Sequence, residues 1–283
     1  MEGYYFLFFL ALIWTFFASV HDLRKREVAN WLTFSLILFA LTFRFFYAFF
    51  NELWSFFWWG VFGFLVYYAL AYAFYYGHVF AGGDAKLLMG FGALLPVGSL
   101  ESLLLYGGLF IFLLFFLGAL YSLVYSIFIV FKNPRMFKKS FLTVFKKYRF
   151  WLVPFFFGAL VVYFTFPFVS LRLLGALFVL VLPGLLFYLQ AVEQGCMIQT
   201  VQAGKLTEGD WLAQDVRIHG MNIRMSVHGL DAKEILILRK HHKSVLIKQG
   251  IPFVPVFLLT LLVMGLFFFF FQQEASLLFS LFG

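Results

Sequence analysis

Apolar residues along this chain gather into long, nearly uninterrupted runs. Runs of that length predict helices that cross a membrane. Eight are delimited: Tyr4–Val20, Trp31–Phe50, Trp54–Tyr76, Lys86–Leu100, Ser102–Phe131, Trp151–Val169, Leu173–Gln190 and Pro252–Phe271. Between the last two lies a polar segment, Glu193–Gly250. In it the short β-type runs Trp211–Ile218 and Ser244–Lys248 flank a helix expected to start at an N-cap, Asp231, and to run to about Lys240. The pattern predicts an all-α polytopic membrane protein of about eight transmembrane helices with a small α+β domain. The expected boundaries are 1–190 for a membrane domain, 191–250 for the small domain, and 251–283 for a last helix and a short outer tail. No internal repeat is visible.

Composition agrees with the pattern. Apolar residues make up 64% of the chain and charged residues 12%, with 46 Phe, far outside the globular range. Met1-Glu2-Gly3 has no basic n-region, so the first run is read as a retained span and not as a cleaved signal peptide. A net charge of +8 invites a nucleic-acid reading, but the distribution points to membrane orientation. With the N-terminus outside, the inner segments His21–Asn30, Gly77–Lys86, Lys132–Phe150 and Glu193–Gly250 hold 19 of the 21 Lys and Arg. The other two, Arg44 and Arg172, are expected to snorkel near the outer face. The outer segments carry only the acids Glu2, Glu52, Glu101 and Glu274. A plasma-membrane protein with a basic cytosolic face is expected, and nucleic acid is not expected as a partner.

Two aspartates fall on that cytosolic face. Asp22 lies just past the end of span one, and Asp84 just before span four. From Ala85 to Leu100 there are 16 residues, roughly 24 Å of helix against a hydrocarbon core of about 30 Å. Asp84 is therefore expected at or slightly inside the membrane boundary, where an ionisable group is costly and marks a candidate site. Gly82 and Gly83 precede it, allow tight turning, and open the helix. Asp84 is thus expected near the positive end of the helix dipole, which favours its anionic form. Two facing carboxylates can share one proton: the ionised member takes a proton from water, and the protonated one polarises a carbonyl. That chemistry needs no metal and no organic cofactor. By position alone, each aspartate reads as readily as a structural residue, a helix cap or a plain juxtamembrane charge, as it does as a site residue.

The flanks of both residues resemble the prepilin and preflagellin peptidases, the membrane aspartic peptidases with a Gly-x-Gly-Asp signature. Asp22, Arg24, Val28 and Asn30 match the family's first segment, Asp-x-Arg-x-x-x-Val-x-Asn, with the same spacing. Gly83, Asp84, Lys86 and Leu87 match its second, Gly-x-Gly-Asp-x-Lys-Leu; Ala81 replaces the first glycine and Gly82 fills the variable place. Similarity to an archaeal branch extends to Lys205–Ala213 and Gly250–Pro255. The resemblance implies an aspartic endopeptidase with Asp22 and Asp84 catalytic and Gly82, Gly83, Lys86, Arg24 and Asn30 supporting them. Its substrates would be type IV pilin-like or archaellin precursors, which lose a short basic leader on the cytosolic side. The cysteine-rich, zinc-associated insertion of the bacterial branch is missing, since Cys196 is the single cysteine. With it goes any basis for a methyltransferase activity.

Other features carry less. The loop Lys132–Phe150 has seven basic residues and no acid, which suits anionic lipid headgroups and not a basic leader. Glu27 is the first candidate for leader binding, with Glu208, Asp210 and Asp215 behind it. His241-His242 diverge on a helix and have no partner at ligand spacing, so they read as solvated; His21 and His78 lie near the aspartates. Arg44 is expected to pair with Glu52 or Glu101. A transporter or channel with acids at its cytosolic mouth is the alternative, supported by the span count and the broken fourth helix. A membrane anchor displaying the polar domain is a third reading, in which both aspartates are dispensable.

Overall fold

The computed structural model describes residues 2–77, 79–165, 168–218, 221–226, 229–241 and 244–266. The expectations placed on His78, His242, Phe267–Phe271 and Glu274 lie outside these residues. Among the described residues, six helical stretches are long and apolar enough to cross a bilayer: Gly3–Lys25, Asn30–Asn51, Trp54–Tyr76, Leu100–Lys132, Pro134–Thr165 and Val169–Gly195. The fourth and eighth expected segments are also helical but shorter, Gly82–Leu94 and Val254–Leu266. Chain order is α1 (Glu2–Lys25), α2 (Asn30–Asn51), α3 (Trp54–Tyr76), α4 (Gly82–Leu94), α5 (Leu100–Ser102), a π-turn (Leu103–Gly107) and α6 (Gly108–Lys132). There follow α7 (Pro134–Tyr148), α8 (Leu152–Thr165), α9 (Val169–Gly195), β1 (Ile198–Gln202), β2 (Trp211–Leu212), β3 (Val216–Ile218) and β4 (Met221–Ile223). The chain continues through α10 (Ala232–His241), β5 (Ser244–Lys248) and α11 (Val254–Leu266). It divides into two compact units, Met1–Ser122 with Ile251–Gly283, and Leu123–Gly250.

The first unit is organised around α4. Nearly every residue of this helix from Ala85 to Leu94 is buried, against α1, α2, α3, α6 and α11. A helix apolar all round belongs at the centre of a bundle. Phe91 stacks on Phe110 and Phe257, with ring centroids 4.6 and 5.5 Å apart. On its other side α4 meets α3 at backbone distance: a Cβ on Gly63 would overlap the Gly92 carbonyl oxygen, and one on Gly92 the Gly63 carbonyl. Without a hydrophobic driving force between helices in lipid, such close approach at small residues is a main source of packing energy. Gly63→Ala should therefore lower the unfolding midpoint in detergent, at a cost of about 1–3 kcal/mol, the range for overpacking. Gly108→Ala, where nothing lies within 4 Å of the new Cβ, is the matched control and should leave the midpoint in place.

At 13 residues α4 is roughly 20 Å long, and it begins earlier and ends earlier than the expected fourth span. Its C-terminal carbonyls therefore end inside the protein and need partners. Arg44 supplies them, and here the structure corrects the sequence reading. Arg44 is fully buried, neither snorkelling nor bonded to Glu52 or Glu101. Its Nε donates to the Ala93 carbonyl, Nη2 to that of Leu95 and Nη1 to that of Phe56, each at 2.7 Å. The guanidinium lies over the Phe56 ring, 4.6 Å from its centroid. A second internal carbonyl, that of Gly107 in the π-turn, accepts the Tyr67 hydroxyl at 2.8 Å.

The second unit joins helices to a small sheet region. β1, β5 and β2 form an antiparallel sheet in the order β1-β5-β2, and β3 pairs with β4. Leu206, Leu212, Leu238, Val245 and Ile247 fill the core under the sheet. The expected N-cap holds: Asp231 Oδ1 accepts the Glu234 N–H at 2.7 Å, and Glu234 returns the bond to the Asp231 N–H at 3.0 Å, a capping box. The segment expected as the loop Lys132–Phe150 is instead mostly helix α7. Proline at its first turn suits a helix start, and its apolar face packs Val144 against Phe187 and Ala191 of α9.

Candidate active site

Both aspartates lie in the first unit, at helix ends. Asp22 sits on α1 itself, one turn before its end at Lys25, and not beyond the helix as expected. It is buried, 6% exposed, and its Oδ2 accepts the Val254 N–H at 3.0 Å. That donor is the first residue of α11, so the carboxylate meets the unsatisfied N–H end of a helix. Neither Pro252 nor Pro255 has an N–H to offer, which leaves Phe253 and Val254 as donors in this stretch. Asp22 does not cap α2, whose N-cap is Ala29.

Asp84 occupies the first turn of α4, behind the N-cap Ala81. It is partly buried. Desolvation in these apolar surroundings, and next the charge of Asp22, push its carboxyl up to about 7, against a hydrogen bond with the Ala81 backbone. The dipole at the helix start favours the anion, and desolvation outweighs it, so the carboxyl titrates above the usual carboxylate range. The Asp22 contribution also means that the two carboxylates are close enough to feel each other, across 62 positions of sequence.

The flanking residues explain how the two segments are brought together. Arg26 takes a left-handed conformation (φ 58°) and ends α1, its N–H bonded to the Asp22 carbonyl at 2.7 Å. The His21 ring, through Nδ1, bonds the Glu27 carbonyl at 2.6 Å and holds the turn that follows. That turn lays Val28 on Gly83. A Cβ at Gly83 would stand 3.1 Å from Val28 Cγ2, so a larger residue would push the two segments apart. One turn further along, Lys86 Nζ donates to Asn30 Oδ1 at 2.7 Å. The valine, glycine, lysine and asparagine of the two segments thus form two direct cross-links between them. Gly82 is less constrained: a Cβ there would stand 3.7 Å from its nearest neighbour, the Tyr75 ring. Arg24 and Glu27 are exposed.

Sequence reasoning missed the Val254 N–H. The signal available was the proline-flanked segment before the last helix, which carried family similarity without a role. Glu208, Asp210, Asp215 and His241 belong to the other unit. Among the described residues no group of three or more His, Cys, Asp or Glu is arranged to hold a metal ion.

The sequence profile of the type IV leader peptidase family matches residues 9–129, a stretch containing both aspartates and both cross-links. The chain is 32% identical over 89 residues to the preflagellin peptidase of Methanocaldococcus jannaschii. That alignment covers 31% of this chain and 38% of the relative. No solved structure matches the chain. Through residues 9–129, less than half of its length, the chain is thus similar to the type IV leader peptidase family.

Proposed function

We propose that the protein is a membrane aspartic endopeptidase that removes the short basic leader from type IV pilin-like or archaellin precursors at the cytosolic membrane face. The observation that carries this reading is the pairing of Asp22 and Asp84, drawn out of solvent and within electrostatic reach, inside the stretch that matches the leader peptidases. The transporter alternative gains no support from that match.

The two acids divide the work by environment. Asp84, held near neutrality by desolvation, is the protonated member that polarises the scissile carbonyl. Asp22, facing the Val254 N–H at a helix start, is the ionised member that takes the proton from water. Asn30, Lys86, Gly83 and Val28 hold the segments together; Gly82 and Arg24 complete the site loops, and exposed Glu27 is placed to meet a basic leader. The expected inner segments hold 19 of the 21 Lys and Arg, which under the positive-inside rule supports a cytosolic location for this end of α1.

The test is cleavage of a purified archaellin-type precursor by the full chain in detergent, with Asp22→Asn and Asp84→Asn beside the parent. Either variant cleaving at the parental rate, or loss of parental activity to a chelator, would sink the proposal. The same assay gives a pH prediction. Because the folded pKa of Asp84 is raised to about 7, the acid form is present below that value and lost above it. kcat/KM should therefore fall about tenfold per pH unit on the alkaline side of neutrality. A profile that stays flat up to about pH 9 would rule out Asp84 as the acid.

A further inference from the structure

In the second unit, the junction of α7 and α8 faces α9 across a cavity of about 220 Å³. Trp151 and Phe155 wall it on one side, Pro183 and Leu186 on the other, and Tyr148 and Gln190 close one end. It is smaller than the ~300 Å³ at which pockets for compact ligands begin, and suits a length of hydrocarbon chain. Its polar end is built: the Tyr148 hydroxyl interacts with the side chains of Gln190 and Lys147. Lys146, Lys147 and Arg149 stand exposed at that end, beside exposed Phe150 and Trp151.

The surrounding charge has one sign. No acid occurs between residues 132 and 150, and the one acid on α9, Glu193, is engaged by Lys248. The packing of Val144, Phe137 and Phe141 toward α9 turns the basic face of α7 outward. An apolar slot with a cationic, aromatic rim at the end of two membrane-type helices matches one class of molecule. Its tail is aliphatic and its head anionic.

We propose that this cleft binds an acyl chain of an anionic phospholipid, with Lys146, Lys147 and Arg149 holding the headgroup phosphate. The site is independent of the peptidase reading. It would select anionic lipid at one place on the protein instead of attracting it diffusely along α7.

Brominated acyl chains quench tryptophan on contact, and Trp151 lines the cleft. The full chain would be placed in nanodiscs containing brominated phosphatidylglycerol or brominated phosphatidylcholine at equal mole fraction, with Trp151→Phe subtracted to isolate that residue. Phosphatidylglycerol should quench Trp151 at least about twofold more strongly. The preference should vanish in the Lys146→Gln, Lys147→Gln, Arg149→Gln variant, whose side chains are exposed. It should also vanish in Leu186→Phe, which fills the cleft and leaves the charges in place. Equal quenching in the parent overturns the site. So does a preference that survives Leu186→Phe, because that outcome describes diffuse attraction to the basic face.

Discussion

Asp84→Asn is expected to lower kcat/KM for precursor cleavage by about 10³-fold or more while leaving the protein folded. The amide has the size of the acid and can still sit behind the Ala81 N-cap, but it has no proton to share and cannot alternate with Asp22. General acid and base steps each contribute about 10²–10⁴-fold, and groups that act as a unit lose most of that on removal of one member. Asp22→Asn should lose as much for the complementary reason. Its Oδ1 can still accept the Val254 N–H, so α11 stays docked, yet the side chain cannot take a proton from water. The double variant should be no worse than about tenfold below either single one. Full additivity would instead mean two independent sites. Retained cleavage in one variant, with unfolding midpoints equal to the parent's, would exclude shared-proton chemistry.

The largest structural effect is expected at Arg44, which touches no candidate catalytic residue. Arg44→Met keeps much of the side-chain volume and removes the donors to Ala93, Leu95 and Phe56. Three charge-assisted hydrogen bonds are then lost, each worth about 1.5–3 kcal/mol, and the total is expected near ~3–5 kcal/mol, because Leu95 keeps the Val97 N–H and Phe56 keeps its place in α3. Arg44→Lys should recover little, because one ammonium group cannot reach three carbonyls in a fixed fork. Gly60 belongs to the same arrangement, since a Cβ there would overlap the Arg44 side chain. Thermal unfolding in detergent checks the series. Arg44→Met melting within about 2 °C of the parent would show that water or another group satisfies the end of α4. Activity should fall together with stability, because α4 carries Asp84 at its other end.

The apolar runs, the basic segments between them and the two flanked aspartates are local properties, and they are legible one residue at a time. Hydrocarbon length fixes where spans fall, lysines and arginines suggest a side, and the Asp231–Glu234 spacing writes a capping box that the structure contains. The flanks of Asp22 and Asp84 match a family, but the reason for Val28, Asn30, Gly83 and Lys86 is not legible there. Each makes its contact with a residue more than 50 positions away. Arg44 reads as a snorkelling residue because a lone arginine in an apolar run ordinarily reaches for water. Only the tertiary structure supplies the internal helix end that satisfies it. The raised pKa of Asp84 has the same origin. A helix start favours the anion, whereas burial against α1 and the charge of Asp22 favour the acid, and the second pair exists only after folding. The Val254 N–H completes the contrast, since it lies 232 positions from the carboxylate it holds. The sequence by itself determined which residues could do the chemistry and on which kind of helix they sit. Packing around α4 decided which of them meet, because contacts between distant segments depend on shape and desolvation that no local pattern encodes.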